Sequence, residues 1–350
     1  MNIGIVLPNW IGDVVMATPA LRALREHFAD ARLTGILRPY VDEVLAGTTW
    51  LDETIILDTK KRPRLLNVWR AGRELRKHQF DQVLLLTNSL STGALGWLSG
   101  APERIGFAGN GRGLLLTKKL RVPREHGRKL PRSAVDQYLE IAAAAGAVSD
   151  DPHVELVTTP AEAAAAHSVW REFNLHQVER VVVFNTGGAY GAAKSWPAEH
   201  FALLAKRIVR KYNAAVLVIC GKAEKPAAAE IVRLADEPRV VSLANRQTSI
   251  RLSKGCLGAA DLVVTTDSGP RHIAAGLGVP TVSLFGPTDP RWSDNYQAEA
   301  MTLQEPVPCG PCGKRVCPLK HHRCMVDLHV DRVFAAVEDR LHVKRTQRVA

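Results

Sequence analysis

The sequence has no apolar run long enough to cross a bilayer, and it lacks several motifs that define common enzyme classes. A membrane-spanning helix takes about 18–20 apolar residues, and no such run occurs in the chain. The GxxxxGK[ST] loop of P-loop ATPases is missing, as are HExxH and GxSxG. The N-terminus starts with the apolar run Ile3–Leu7 and has no basic leader segment, so we expect a cytoplasmic protein.

Acidic residues are scarce in one part of the chain. Between Lys60 and Arg132 there are 17 Lys and Arg against 4 Asp and Glu, an excess of 13, whereas the whole chain carries a formal charge of +11. Such a segment is either a solvated basic face or a surface that binds a polyanion. No nucleic-acid-binding motif occurs there and aromatic residues are few. We therefore expect an anionic lipid or phosphorylated glycan as partner, and no nucleic acid.

Apolar runs alternate with segments of helical period along most of the 350 residues. At roughly 150 residues per domain, this length predicts two domains. Repeated β-α units imply a parallel sheet covered by helices in each domain. Ligands bind such sheets where the strands end at their carboxyl edge. The strands predicted for the second half are Val181–Asn185, Ala215–Cys220, Val240–Leu243, Leu262–Thr265 and Thr281–Phe285.

Asp13 follows the first predicted strand and opens the first predicted helix, in the sequence PNWIGD at residues 8–13. Gly12 allows a tight turn and the close approach of a ligand. Two roles are open for the carboxylate. It caps the helix, which stabilises it by about 1 kcal/mol, or it acts as a general base that faces a cleft.

A glycine-rich turn follows the strand Val181–Asn185. It contains Thr186, Gly187 and Gly188, and Lys194 comes shortly before a helix that starts at Pro197. Backbone N–H groups, a hydroxyl and an ammonium together suit a diphosphate. The alternative is an ordinary turn.

The strongest candidate is the segment DLVVTTDSGPRH at residues 261–272. A buried strand ends in Asp267, Ser268 and Gly269, and a helix then begins. Its N-terminus offers unpaired N–H groups to an anionic phosphate. Capping of the helix by Asp267 or Ser268 is the alternative. His272 lies one helical turn further on, where two roles are open: it reaches the same ligand, or it has a purely structural role, which is the more common case for a single histidine at such a position.

Glu224 follows another predicted strand, in the sequence CGKAE at residues 220–224. Acidic side chains at this kind of position accept hydrogen bonds from ribose hydroxyls. A solvent-exposed glutamate at a helix start is the alternative.

Four motifs in one order resemble the heptosyltransferases of glycosyltransferase family 9. They are NWIGD at 9–13, GxxKSWP at 191–197, TDSGPxH at 266–272 and LFGPT at 284–288. The resemblance runs from residue 1 to about residue 340, and the N-terminal Pro-Asn-Trp looks closer to the second heptosyltransferase type. It implies an α/β protein of the GT-B fold, with two Rossmann-like domains whose parallel sheets face each other across a cleft.

The resemblance also implies a domain plan. Residues 1–170 would bind the acceptor and residues 171–328 the nucleotide sugar. A last helix within 329–350 would cross back to the first domain. An apolar stripe on the predicted helix Asp331–Leu341 fits such packing.

The roles implied by the resemblance are those of an inverting transferase that moves heptose from ADP-heptose to the lipopolysaccharide inner core at the cytoplasmic face of the inner membrane. Asp13 would be the base, Lys194 would bind phosphate and Glu224 the ribose. The nucleotide and the sugar would be held by Asp267, Ser268, Gly269 and His272. No cofactor or catalytic metal is expected. The alternatives are another nucleotide-sugar enzyme, such as an epimerase, or a binding protein without activity.

Cysteines are few, but four of the six cluster near the C-terminus, at Cys309, Cys312, Cys317 and Cys324. The C-x2-C start is typical of zinc knuckles, although the later spacings are not. A structural zinc ion, reduced thiols, disulfides and an iron–sulfur centre remain open. We expect no part in transfer, because the cluster lies outside the four motifs.

Overall fold

The computed structural model describes residues 1–57, 64–188 and 190–342. The described chain forms two compact units, Met1–Leu156 with Arg291–Tyr296, and Val157–Pro290 with Gln297 onwards. None of the described helices is long and apolar enough to span a bilayer. Lys60, Lys61 and Arg62, where the basic segment begins, lie outside the described residues.

The first unit is built on a six-stranded parallel sheet in the order β3-β2-β1-β4-β5-β6. Its strands are β1 Asn2–Val6, β2 Arg32–Leu37, β3 Glu53–Ile56, β4 Gln82–Leu85, β5 Glu103–Phe107 and β6 Lys118–Leu120, with the small hairpin β7 Arg124–Glu125 and β8 Arg128–Lys129. Its helices are α1 Ile11–Met16, α2 Thr18–His27, α3 Pro39–Leu45, α4 Arg64–Arg76, α5 Leu90–Leu98 and α6 Ala134–Ala145. Strand order reverses between β1 and β4, so a crevice is expected at their carboxyl ends.

The second unit repeats this topology with the order β11-β10-β9-β12-β13-β14, again parallel throughout. Its strands are β9 Arg180–Asn185, β10 Ala214–Ile219, β11 Val240–Ser242, β12 Leu262–Thr266, β13 Thr281–Phe285 and β14 Ala300–Gln304. Its helices are α7 Pro160–Glu172, α8 Ala198–Lys211, α9 Lys225–Ala235, α10 Ile250–Ala259, α11 Gly269–Gly276, α12 Arg323–Val326 and α13 Val330–His342. The equivalent reversal lies between β9 and β12.

The central strands of the second unit are buried on both faces. Every residue of β10, β12 and β13 is buried, which matches the continuous apolar runs that such strands require. Their carboxyl ends carry the segments singled out in the sequence, so the fold collects those segments at one edge of the sheet.

The first predicted helix, which was expected to begin at Asp13, is two helices in the structure. α1 ends at Met16 and α2 starts at Thr18, with Pro19 in its first turn. Proline is tolerated in a first turn because its missing N–H has no partner there in any case. The break therefore lies where the sequence supplies a proline.

The boundary between the units lies at residues 156 and 157, earlier than the predicted 170 and 171. α7 belongs to the second unit because it packs closely on α10. A Cβ at Gly255 would lie 2.2 Å from the carbonyl oxygen of Glu162. Lys254, 3.3 Å from the carboxylate of Glu162, forms an ion pair that is excluded from solvent.

The last helix was expected to return to the first unit, but α13 belongs to the second unit. The described residues of α13 pack on α8 and on strands of the second sheet. The segment that does belong to the first unit is Arg291–Tyr296. There Ser133 donates a hydrogen bond of 2.5 Å to the carbonyl of Asp294, and the Tyr296 hydroxyl donates one of 2.7 Å to Asp136.

Candidate active site

A pocket of about 400 Å³ lies at the strand-order reversal of the first unit. Residues 8–10 and 13 line it from the end of β1, residues 86–89 from the end of β4, and Phe107 from the end of β5. α6 closes it with Ala134, Gln137, Tyr138 and Ile141. The pocket has the place and size of a small-ligand site in an open α/β sheet.

Asp13 is half-buried on the wall of this pocket. It is not the cap of the helix, because Trp10 occupies the N-cap position of α1 without a side-chain hydrogen bond. The capping interpretation of Asp13 is therefore wrong. What the structure shows instead is a carboxylate in the first turn of α1 that lines a cavity.

Tyr138 of α6 lines the same pocket, and nothing in the sequence analysis singled it out. Burial raises the pKa of its hydroxyl well above the usual value, and the charge of Asp13 raises it further. A phenol that stays protonated beside a carboxylate is a hydrogen-bond donor at neutral pH. Tyr138 can therefore hold either Asp13 or a bound hydroxyl group.

Arg112 binds residues of the pocket wall, and the sequence analysis did not single it out either. Its side chain is fully buried, and burial lowers its pKa to about 10. It donates hydrogen bonds of 2.8 Å to the Phe107 carbonyl and 2.9 Å to the Asn88 side chain, and a further one to the Thr87 carbonyl. These bonds join the ends of β4 and β5, so Arg112 fixes the shape of the pocket wall.

A second cavity of about 270 Å³ shares Asn88 and Phe107 with the first. Three cationic side chains line it, those of Arg121, Arg124 and Lys129. All three residues are exposed. Some of the positive charge of residues 60–132 therefore lies beside the pocket that contains Asp13.

In the second unit the loops after β9 and β12 are joined by hydrogen bonds. The side-chain amide nitrogen of Asn185, Nδ2, donates to the hydroxyls of Ser268 and Thr265 over 2.8 and 3.1 Å. It also donates to the carbonyl of Gly187 over 3.0 Å. Ser268 donates in turn to the carbonyl of Thr266 over 3.2 Å. Ser268 is the N-cap of α11 but makes no side-chain cap hydrogen bond, so capping does not explain its presence.

Lys194 and Asp267 form a nearly buried ion pair at this edge of the sheet. The ammonium of Lys194 lies 2.5 Å from the carboxylate of Asp267 and 3.0 Å from its carbonyl oxygen. Thr288 donates a hydrogen bond of 2.7 Å to the same carboxylate oxygen. Burial alone would raise the pKa of Asp267, but Lys194, with Arg271 and Thr288, holds it below its usual value. The motifs at 191–197, 266–272 and 284–288 therefore meet at one carboxylate.

His272 is buried in the first half of α11. Burial lowers its pKa to about 3, with a further contribution from Arg271. The imidazole is therefore neutral at physiological pH. A neutral imidazole offers one donor and one acceptor but no charge to a bound anion.

Glu224 lies against two glycines at the ends of β9 and β10. A Cβ at Gly187 would lie 2.8 Å from Cγ of Glu224, and one at Gly221 would lie 2.5 Å from its carboxylate. A Cβ at Gly188 would lie 2.8 Å from Cβ of Ser268. The glycines therefore allow the loops to approach each other, and Glu224 lies beside the glycine turn.

Two buried hydroxyls at this edge lack a hydrogen-bond partner among the described residues. They belong to Thr186 at the end of β9 and Thr266 at the end of β12. Unsatisfied buried hydroxyls are rare in folded proteins and call for an explanation such as a ligand. They are consistent with a polar molecule bound beside Gly187 and Lys194.

Comparison with other proteins gives the family. The sequence model of glycosyltransferase family 9 (heptosyltransferase) matches residues 68–323. A lipooligosaccharide heptosyltransferase 2 of Campylobacter jejuni is 28% identical over 347 residues, which cover 97% of this chain and 98% of that one. A lipopolysaccharide heptosyltransferase 2 of Escherichia coli is 24% identical, with 95% and 97% covered.

Two solved structures share the fold over almost the whole chain. The E. coli ADP-heptose lipopolysaccharide heptosyltransferase II has a TM-score of 0.79 at 23% identity, with 97% of this chain and 98% of that chain covered. A glycosyl transferase of family 9 from Veillonella parvula has a TM-score of 0.83 at 24% identity, with 97% of each chain covered. The predicted α/β class with two Rossmann-like units of the GT-B type is thereby confirmed.

Proposed function

This chain belongs to glycosyltransferase family 9, and from that premise we propose that it transfers heptose from ADP-heptose to a sugar of the lipopolysaccharide inner core. The observation that carries the proposal is the meeting of Lys194, Asp267 and Thr288 beside the glycine turn of the second unit. Relatives named heptosyltransferase 2, similar over nearly the whole chain, support heptose transfer to lipopolysaccharide, and one solved neighbour is named an ADP-heptose heptosyltransferase.

Asp13 is the proposed general base. It accepts the proton of an acceptor hydroxyl while that oxygen forms its bond to the anomeric carbon of heptose. The bond from this carbon to the diphosphate breaks in the same step, so configuration inverts and ADP leaves. A positioned base contributes roughly 10²–10⁴-fold to the rate of such a step. Tyr138, whose hydroxyl stays protonated near the charge of Asp13, is the proposed donor that orients Asp13 or the acceptor hydroxyl.

The second unit stabilises the charge that develops on the departing diphosphate. The ammonium of Lys194 has three N–H donors, and two of its hydrogen bonds go to Asp267. The third is the proposed donor to a phosphate oxygen. The N–H groups of Gly187 and Gly188 and the start of α11 add further donors. Donors that are already oriented contribute about 3–4 kcal/mol each to such transition states.

Glu224 is the proposed ligand of the ribose hydroxyls. Its carboxylate lies next to Gly187 and Gly221, at the ends of neighbouring strands. Thr186 and Thr266 supply the hydroxyls that the sugar or the phosphate pairs with. Neutral His272 lies in the same block and contributes a hydrogen bond without adding charge. No metal ion is needed for this arrangement, because an ammonium and helix dipoles take its place.

The acceptor is proposed to be an anionic, lipid-linked saccharide. Arg121, Arg124 and Lys129 line the cavity next to the pocket of Asp13, which suits a carboxylate or phosphate on the acceptor. A lipid-linked acceptor places the enzyme at the cytoplasmic surface of the inner membrane, where peripheral contact with anionic headgroups suits the basic segment 60–132.

A donor panel with an Asp13 variant tests the proposal. Purified protein is incubated with a core acceptor and with ADP-heptose or UDP-, GDP- and ADP-hexoses, and product and ADP are quantified. We expect transfer from ADP-heptose and, for Asp13→Asn, a loss of at least about 100-fold in kcat with unchanged ADP affinity. Asp42→Asn, an exposed carboxylate in α3, is the matched control and keeps full activity.

Two results would overturn the assignments. Turnover of Asp13→Asn close to that of the native chain would remove Asp13 as the base. Epimerisation or hydrolysis of the donor, without any transfer to an acceptor, would replace the transferase with another nucleotide-sugar enzyme.

A further inference from the structure

At the carboxyl edge of the second sheet, the cations Lys194 and Arg271 are balanced by the carboxylates Asp267 and Glu224. The ammonium of Lys194 lies 2.5 Å from the carboxylate of Asp267, so much of its charge is already offset within the protein. A departing diphosphate carries more than one negative charge at neutral pH. A further cation near Lys194 would therefore stabilise the charge that develops as the diphosphate leaves.

Tyr190 is an aromatic residue with two cations at its ring. The ammonium of Lys194 lies 4.2 Å from the ring centre, and the guanidinium carbon of Arg315 lies 5.4 Å from it. Cations within about 6 Å of an aromatic ring centre are attracted by the electron-rich face of the ring. The ring of Tyr190 therefore holds Arg315 beside the lysine that is proposed to bind the diphosphate.

The backbone of Arg315 is held against the segment that carries Lys194. The N–H of Ala193 donates a hydrogen bond of 3.0 Å to the carbonyl of Arg315. Gly191 has a φ of 147°, and a Cβ at this residue would lie 2.5 Å from the same carbonyl oxygen. Glycine is the residue that allows both this φ and this close approach. Contacts of the backbone as well as of the side chain therefore place Arg315 next to Lys194.

Gly313 of the same loop makes two further contacts. Its carbonyl accepts a hydrogen bond of 2.5 Å from the hydroxyl of Tyr190, and its N–H donates one of 2.6 Å to the carbonyl of Pro287. The residue after Pro287, Thr288, donates to the carboxylate of Asp267. The loop is therefore attached to two of the segments that meet at this carboxylate.

The loop that carries Gly313 and Arg315 is the cysteine-rich one. Residues 305–322, between β14 and α12, form neither helix nor strand, and irregular loops of this length are usually functional. Among the described residues, no cysteine forms a disulfide, and no three Cys, His, Asp or Glu side chains are grouped so that they could hold a metal ion. A Cβ at Gly286, in the LFGPT motif, would lie 3.3 Å from the sulfur of Cys324. The expectation that the cysteines lie apart from the four motifs is therefore wrong in spatial terms.

The guanidinium of Arg315 has no polar partner within residues 1–57, 64–188 and 190–342. The side chain is exposed, and in these ranges it makes neither a side-chain hydrogen bond nor an ion pair. Arg323, shortly after the same loop, pairs instead with Asp327 over 2.8 Å. A guanidinium presents its N–H donors in a planar fork that fits phosphate oxygens. Arg315 can therefore bind an anion without giving up an ion pair.

We propose that Arg315 is a second cation of the donor site, which binds the diphosphate together with Lys194, and that Tyr190 positions both cations. The identity of the anion as the diphosphate of a nucleotide sugar rests on the function proposed above, whereas the anion site itself does not. The N–H groups of Arg315 stabilise the charge that develops as the bond between the sugar and the diphosphate breaks. Arg315 contacts the leaving group, and Tyr190 acts only through the two cations.

Arg315→Ala and Arg315→Lys test the binding role. Affinities of the full chain for ADP and for inorganic pyrophosphate are measured by calorimetry at low and at high salt. We expect Arg315→Ala to weaken both by about tenfold, as for one lost hydrogen bond to a charged group, and to flatten the dependence on salt concentration. Arg315→Lys keeps the charge but loses the fork and should recover part of the loss. Lys314→Ala removes the neighbouring exposed cation and is the matched control, which keeps the native affinities.

Three results decide the binding role. Unchanged affinity of Arg315→Ala for both ligands would overturn it, and so would an equal loss in Lys314→Ala, which would show only an effect of net charge. Urea denaturation of Arg315→Ala should match that of the native chain, because the side chain is exposed. A native chain that binds pyrophosphate through Arg315 but transfers no heptose would instead contradict the proposed function and leave the anion site standing.

Tyr190→Leu and Tyr190→Phe test the positioning role. Leucine removes the ring, so ADP affinity should fall by about fivefold, whereas phenylalanine keeps the ring, loses only the bond to Gly313 and should retain most of the affinity. Because Tyr190 acts through the cations, Arg315→Ala should cost less affinity in the Tyr190→Leu background than in the native chain. Independent losses in the double variant, or a native ADP affinity of Tyr190→Leu, would overturn the positioning role.

Discussion

Replacement of Lys194 by alanine leaves a buried carboxylate without its main partner. In the native chain, two hydrogen bonds join the ammonium of Lys194 to Asp267, which is 7% exposed. Removal of one member of a buried ion pair costs about 3–5 kcal/mol. Thr288 and Arg271 still act on Asp267, so we expect the low end. Lys194→Ala should lower the free energy of unfolding by about 3 kcal/mol at pH 7.

The loss should depend on pH in a defined direction. The folded-state pKa of Asp267 is lowered in the native chain, so the ion pair stabilises the fold above the unfolded pKa of about 3.9 and this contribution is lost as pH falls through the folded value. Without Lys194, the largest contribution that opposes burial is lost, and the pKa of Asp267 rises. The protonated acid costs less to bury. The difference between the native chain and Lys194→Ala should therefore narrow as pH falls from 7 towards 4.

Urea denaturation followed by circular dichroism measures both effects, and calorimetry measures ADP binding. ADP affinity of Lys194→Ala should fall by about 10–100-fold, the range for a hydrogen bond to a charged group. Asp267→Asn in the same background should recover most of the stability but not the affinity. Lys206→Ala, on α8, serves as control. A stability loss that is the same at both ends of the pH range would refute the account of Asp267, and unchanged ADP affinity would remove Lys194 from the diphosphate site.

Three further predictions concern packing and charge. Gly255→Ala places a Cβ 2.2 Å from the Glu162 carbonyl, so α7 and α10 must separate, and denaturation should show a loss of about 1–3 kcal/mol. A stability equal to that of the native chain would contradict this close approach. Gly187→Ala places a Cβ 2.8 Å from Cγ of the Glu224 side chain, which can turn away, so stability should change little while ADP titration shows weaker binding. Unaltered binding would place the ribose elsewhere. Arg124→Glu should weaken acceptor binding and flatten its dependence on salt concentration, and a change in solubility alone would mean that the cavity is merely solvated.

Much of the fold could be predicted because parallel strands buried on both faces are continuous apolar runs. The predicted strands at Val181–Asn185 and Thr281–Phe285 correspond to β9 and β13. The candidate residues after β9 and β12 were found for the same reason, since glycines and hydroxyl residues directly after such runs mark the binding edge of a sheet.

The residues that sequence reasoning missed act through tertiary contacts. Arg112 lies in a short turn, and an isolated arginine there is typical of a surface, yet its side chain is fully buried. Tyr138 faces the pocket only because α6 packs over it. The hydrogen bonds from Tyr190 and Ala193, beside Lys194, to the carbonyls of Gly313 and Arg315 join residues far apart in sequence, and no local pattern signals them.

The short segment Arg291–Tyr296 determines where the junctions of a chimera between two relatives must lie. The chain leaves the second unit after Pro290, contributes Asp294 and Tyr296 to the first unit, and returns at Gln297. A chimera joined only at residues 156 and 157 would therefore pair Ser133 and Asp136 of one parent with the short segment of the other. Exchange of specificity between relatives needs three junctions, and the short insert must travel with the first half of the gene.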